Sequence, residues 1–179
     1  MSERQVQEKR CETVADLKSA LAHRFPTAFR GHSVMPGGAD LESTIPTGAV
    51  TEVVGTPGSG GCTLVLQWIA RVLKEGSQYA AFIDLTGEFY PPAAAALGVP
   101  LHRFLLIRAG DLRGAWRLVE VMLQGGAIPL IVVDLPSGTR PISLSTYHRL
   151  RRRVRASGGA LVVLSRSSVF PADRRIKLS

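Results

Sequence analysis

Apolar positions along this chain repeat in two ways, and the two alternate. From Ala49 onward, the short runs "AVTEVVG", "YAAFIDL", "RFLLIRA", "PLIVVDL" and "ALVVLSR" read as five strands. "YAAFIDL" is apolar almost without interruption, as expected of a strand covered on both faces of a parallel sheet. Between the strands lie segments with apolar residues three and four apart, the spacing of one helix face. "TLVLQWIARVLKEG" is one such helix, closed by Gly76. "PPAAAALG" is a short one whose prolines fit its first turn. "DLRGAWRLVEVMLQGG" places Leu112, Trp116, Val119 and Leu123 on one face, and "SLSTYHRLRRRVRASGG" does so with Tyr147, Leu150 and Val154. Strands alternating with helices predict an α/β domain. Its parallel sheet of about five strands carries helices on both faces.

Upstream the pattern differs. "TVADLKSALAHRF" carries Val14, Leu17, Leu21 and Phe25 on one face with Thr13 as its cap, so it reads as a short amphipathic helix. "PTAFRGHSVMPGGADLESTIPTG" follows, rich in glycine and proline, and reads as a linker. Residues 1–35 are therefore expected to form an N-terminal helix and linker, and residues 36–179 the core domain. No internal repeat or low-complexity tract is visible. "SSVFPADRRIKLS", after the fifth strand, is assigned no element.

The chemistry concentrates where the first strand meets the first helix. "GTPGSGGCT", Gly55 to Thr63, approximates the phosphate-binding pattern G-x-x-x-x-G-K-[ST]. Gly55 and Gly60 hold the glycine positions, Gly61 stands at the lysine position, and Cys62 at the Ser/Thr position. The loop follows a strand and opens a helix at the carboxyl edge of a parallel sheet, where ligands of such sheets bind. Backbone N–H groups of Gly58, Ser59, Gly60, Gly61, Cys62 and Thr63 would attract an anion whatever side chains they carry. The catalytic parts are missing. Glycine supplies no cation, and a thiol is too soft a ligand for magnesium. Thr63 lies one residue beyond the hydroxyl position, on a different helix face, and reads as a helix-start threonine. Cys62, at a helix N-terminus, is also the place where a lowered thiol pKa would make a reactive cysteine. Asp134 ends "LIVVD", the strand position where a phosphate-loop enzyme holds its metal through an acid.

Composition narrows the field. Within 179 residues, 45% are apolar but only 6% aromatic, so one aliphatic core is expected. No apolar run approaches the roughly 18 residues of a membrane-spanning helix, and "MSERQVQEKRCE" is too polar for a secretory signal. Cys11 and Cys62 stand apart without metal-type spacing, which suggests a reducing, cytoplasmic setting. The formal charge of +8 favours acidic partners, nucleic acid being the commonest.

Three stretches together, "IPTGAVTEVVGTPGSGGCTLVLQWIARVL", "FIDLTGEFYPPAAAALGV" and "GGAIPLIVVDL", resemble the RecA core. They look closer still to the RecA-like accessory proteins of bacterial mutagenic repair, the ImuA group and its shorter relatives. The likeness covers about residues 36–166. It implies that Asp84 and Asp134 are retained family acids. It also places Thr86 where the family has its water-orienting glutamate, with Glu88 two residues on. Ala93 falls at the adenine-stacking tyrosine, and Ser165 and Arg166 at the γ-phosphate sensor. Lysine, metal hydroxyl, catalytic acid, base stacker and sensor are thus all replaced. The resemblance implies no catalytic residues, no metal site, and at most weak binding of ATP and Mg²⁺. It further implies a role in DNA damage tolerance, as in translesion synthesis within an SOS-type response. Its expected partners are single-stranded or damaged DNA and a repair polymerase or its accessory subunit. Two alternatives remain. One is a residual ATP-binding protein or weak DNA-dependent ATPase that borrows a cation, such as Arg166 or an arginine of a neighbouring subunit. The other is an interaction protein comparable to the SulA-type division inhibitors.

The last predicted helix carries Arg149, Arg151, Arg152, Arg153 and Arg155 around its apolar stripe, with no acidic residue nearby in sequence. Guanidinium groups pair with two phosphate oxygens at once. Five contacts to a single strand would give a log–log salt slope of about −3.5, at about −0.7 per contact. A solvated outer helix and an acidic protein partner are the competing readings. Phe89 and Tyr90 are candidates for base stacking or for packing at the strand ends.

Overall fold

The computed structural model describes residues 45–74, 78–126 and 128–178. The expected N-terminal helix, Cys11, the linker up to residue 44 and Gly76 lie outside the described residues.

Chain order is β1 (Val50–Gly55), α1 (Gly61–Lys74), β2 (Ala80–Asp84), α2 (Pro91–Ala96), a 3₁₀ turn (Leu101–Arg103) and β3 (Phe104–Arg108). Then come α3 (Leu112–Gly125), β4 (Leu130–Asp134), α4 (Leu144–Ser157), β5 (Ala160–Ser165) and β6 (Arg174–Leu178). The six strands form one sheet in the order β3-β2-β4-β5-β1-β6, with every pairing parallel. This is the parallel α/β architecture that the alternating pattern predicts, and it is consistent with the RecA-like fold that the resemblance implies.

Alternation along each strand builds two cores. Ala81, Ile83, Ile131, Val133, Leu161 and Val163 face one layer with Trp116, Val119, Met122, Leu150 and Val154 of α3 and α4. Ala80, Phe82, Leu130, Val132, Ala160 and Val162 face the other with Val65, Leu66, Ile69 and Leu73 of α1 and Ala94 of α2. Because β2, β4 and β5 are buried on both faces, their sequences read as unbroken apolar runs. The helix ends follow capping chemistry. Asp111 accepts from the Gly114 N–H at 2.7 Å to start α3, and Ser143 accepts from the Thr146 N–H at 3.3 Å to start α4. Gly126 and Gly158 close these helices at φ 64° and 67°, a conformation that costs glycine nothing.

The sixth strand was not expected. β6 runs along β1, from Thr51 opposite Arg174 to Gly55 opposite Leu178, inside the stretch assigned no element. Only Ile176 and Leu178 of this edge strand reach the core, so its charged sequence carries no buried-strand signal. A buried glutamate anchors the connection. Glu52, at 0% exposure in β1, accepts from the backbone N–H groups of Val169 and Phe170, both at 2.9 Å. It also accepts from Ser165 Oγ at 3.1 Å, Ser168 Oγ at 3.3 Å and Arg175 Nε at 2.6 Å. Asp173 completes the joint. Its N–H donates to the Val50 carbonyl at 2.9 Å, and its carboxylate accepts from the Val50 N–H at 3.1 Å. Each buried acceptor lone pair is matched by a donor, which makes a buried charge tolerable.

Candidate functional site

Parallel register brings the carboxyl ends of β1, β2, β4 and β5 to one edge. Asp84 lies opposite Asp134, and Asp134 opposite Leu164. The glycine loop rises there between β1 and α1. Its backbone explains its composition. Gly58 and Gly60 sit at φ 87° and 88°, where a side chain is strained. A Cβ on Gly55 would meet Ser59 Oγ at 2.2 Å and the Cβ atoms of Ser59 and Leu178 at 3.3 Å, so the Ser59 hydroxyl would have to turn away and the packing give slightly. Gly61 differs. It opens α1, and a Cβ there would make only ordinary contacts, with Leu164 and Leu178 methyl carbons at 3.6 Å and Val53 Cγ1 at 3.7 Å. The missing lysine is therefore not excluded by space.

The loop lines a cavity of about 330 Å³. Gly55, Gly58, Ser59, Gly60, Gly61, Cys62 and Thr63 form one wall, with Glu88, Phe89, Asp134, Ser165 and Arg166 around it. The first turn of α1 holds no acid, and its last turn carries Arg71 and Lys74. Its N–H groups lack intrahelical partners, and the dipole's positive end is not neutralised from within the helix. Cys62 and Thr63, although successive on α1, both line this cavity. The first helical turn is wide enough in angle to present two successive residues to one opening.

The acids divide by environment. Asp84, 1% exposed, organises the turn after β2. Its Oδ1 accepts from the N–H groups of Thr86 at 3.0 Å and Gly87 at 2.7 Å and from Thr86 Oγ1 at 2.8 Å, while its Oδ2 accepts from the Phe89 N–H at 3.2 Å. Asp134 meets Thr86 Oγ1 at 3.3 Å. Burial pushes the Asp134 carboxyl up to about 6. Asp84 and Glu88 add to this, and Thr86 and Arg166 oppose it. Thr86, where the resemblance places a water-orienting glutamate, thus ties two carboxylates together. Glu88 turns elsewhere, accepting from Arg166 Nη2 at 3.1 Å.

Burial argues against a lowered thiol pKa at Cys62. Cys62 is exposed as a residue, but its thiol is pushed up from the ordinary range. Partial burial is the main cause, followed by the carboxylates of Asp134 and Asp84. The shift runs opposite to the one a reactive thiolate needs. Nor does this donor set fit a magnesium–triphosphate complex. A soft thiol stands at the hydroxyl position and glycine at the lysine position, so neither a hard ligand nor a cation is supplied there.

Phe89 is a core residue, with ring centroids 4.6 Å from Phe82 and 5.3 Å from Phe104. Tyr90, at 65% exposure, is the one free to meet a ligand.

The arginines of α4 do have acidic neighbours, contrary to expectation. Arg149 pairs with Glu120 of α3, and Arg151 with Asp173. These acids are 29 and 22 residues away in sequence, and only folding brings them together. With the Gln124 amide turned to present its oxygen, Arg153 donates to it at 2.8 Å and 3.1 Å. Arg152 and Arg155 are exposed. The helix is therefore less available to phosphates than its sequence implies.

Among the described residues, no helix is long and apolar enough to cross a membrane.

A family model described as the RecA N-terminal domain matches residues 34–142. The chain is similar to Protein RecA of Chlorobaculum parvum, 38% identical over 89 residues, and of Oceanobacillus iheyensis, 39% identical over 89 residues. Each match takes in 50% of this chain and 25% of the relative. Against Protein RecA of Nostoc, identity is 31% over 112 residues, 60% of this chain and 31% of the relative. The chain thus matches about a quarter of the length of the first two.

Proposed function

This chain belongs to the RecA N-terminal domain family, and from that premise we propose that it is a non-hydrolysing RecA-like accessory of DNA repair. It binds single-stranded or damaged DNA, a repair protein, or both. The observation that carries this reading is the glycine cradle at the sheet edge, folded with its own left-handed glycines but lacking a cation at Gly61 and a hard hydroxyl at Cys62. Thr86 supports it further, since a hydroxyl bonded to Asp84 stands where the resemblance places a water-orienting glutamate. The translesion and SOS-type setting, with a polymerase or its accessory subunit as partner, comes from the resemblance to the ImuA group. In this reading residues 1–35 are an appendage to the core at 36–179, and the protein acts in the cytoplasm.

DNA binding would be carried by the exposed Arg152 and Arg155, with Arg153 beside them. Arg149 and Arg151 contribute less, because each would have to leave a carboxylate. Three contacts to a single strand give a log–log salt slope of about −2 rather than −3.5. Fluorescence anisotropy on a labelled oligonucleotide, from low to moderate salt, reads this slope. Replacing Arg152 and Arg155 by Gln should flatten it by about 1.4. A complete absence of binding at low salt would remove DNA from the proposal and favour a protein partner.

A further inference from the structure

The cavity contains a cation that does not come from the glycine loop. Arg166 follows β5 and lines the same opening as Gly61 and Cys62. Its Nη2 donates to Glu88 Oε2 at 3.1 Å, and Glu88 comes from the turn between β2 and α2. The guanidinium is 27% exposed and the carboxylate 70%. Two walls of the cavity are therefore joined by one ion pair, whose acidic half is well solvated and whose basic half is mostly enclosed. Such a pair holds weakly, since an exposed partner gains little from Coulomb attraction in water. A guanidinium has donors on two edges, and phosphate oxygens are a better match for its fork than one carboxylate oxygen. Asp134 acts on the same opening as a further acid, and Asp84 lies behind it.

We propose that Arg166 is the binding cation for a phosphate group seated on the glycine loop, and that Glu88 holds this guanidinium in place until the phosphate displaces it. This inference rests on the phosphate-cradle reading above and deepens it by naming where the positive charge comes from. The ligand class is a phosphate or diphosphate, because the cavity offers backbone N–H groups and a guanidinium, and among the described residues no group of three or more His, Cys, Asp or Glu side chains is placed to hold a metal ion. Glu88 sets the threshold. An anion must out-compete it, so weak monoanions are excluded and a multiply charged phosphate is accepted.

Titration calorimetry with inorganic pyrophosphate, without divalent metal and at low salt, tests this on the full chain. Glu88→Gln should bind about three- to tenfold more tightly than wild type. Arg166→Gln should bind at least about tenfold more weakly, the loss expected for one charge-assisted contact, and Arg166→Lys should recover part of it. The double variant decides the mechanism. If Glu88 acts by occupying Arg166, the gain from Glu88→Gln vanishes when Arg166 is already Gln. A gain that persists there overturns the inference, because Glu88 would then act only by repelling the anion. Equal binding by wild type and both single variants overturns it too, while leaving the cradle in place. Absence of binding in wild type and Glu88→Gln alike removes the cradle itself, and the inference with it. Thermal melts of each variant confirm that only a partly exposed contact has been changed.

Discussion

Restoring the missing lysine is the most informative perturbation of the loop. Gly61 opens α1 without a left-handed φ, and a Cβ there meets only methyl carbons at 3.6–3.7 Å. Gly61→Lys therefore forces no backbone movement, and its side chain leaves from the wall of a cavity of about 330 Å³. Replacing glycine in a helix removes an entropic cost of roughly 0.5–1 kcal/mol, so the variant should melt at or slightly above wild type. A lysine ammonium adds one charge-assisted hydrogen bond to a bound phosphate, about 1.5–3 kcal/mol. Affinity for ADP without metal should rise by about one to two factors of ten. Asp134 and Glu88 attract the new ammonium as well, which places the gain toward the lower figure. Calorimetry with ADP and a parallel melt provide the readout. A variant that is fully folded yet no tighter in binding would refute the reasoning, since the loop would then not present an anion where a lysine can reach it.

Other perturbations separate structure from site. Glu52→Ala should be severe, because five donors lose their buried acceptor. A cost of about 3–5 kcal/mol is expected, read as a lowered urea midpoint together with faster amide exchange in β6. Asp134→Asn should stabilise the protein, with a definite pH sign. The folded carboxyl titrates at about 6, above the ordinary aspartate value of about 3.9. Its ionisation therefore opposes folding progressively as pH rises between those values, and fully above the higher one. The displacement corresponds to roughly 3 kcal/mol, which partial solvation reduces to about 1–2 kcal/mol. Paired urea melts should show that gain at pH 7.5 and none near pH 4.

Much of this fold could be read in advance because β2, β4 and β5 are covered on both faces. Such strands show as uninterrupted aliphatic runs; the stripe of α4 falls on its buried residues, and that of α3 does so at Trp116, Val119 and Leu123, with Leu112 half-buried. β6 escaped notice for the opposite reason. Along this edge strand burial alternates only between half-buried and exposed, and with Arg174, Arg175 and Lys177 among its five residues too few apolar positions remain to mark the alternation in sequence. Its true signal was Glu52, a charge inside "AVTEVVG" that had to find partners somewhere, and a buried acid in a strand is worth that question. The glycine loop was readable as a cradle because left-handed turns restrict composition. The Glu88–Arg166 contact was not, for nothing local links positions 78 residues apart. The same blindness to distance made α4 look like five free cations, when Glu120 and Asp173 were already committed to two of them.

The central claim is that an anion cradle persists here without the means to split a triphosphate. Single-turnover hydrolysis tests it most directly, with γ-labelled ATP, excess magnesium and protein well above the ATP concentration, with and without single-stranded DNA. The account predicts intact ATP over hours in both conditions. Magnesium-dependent release of labelled phosphate that disappears in Asp134→Ala would contradict it.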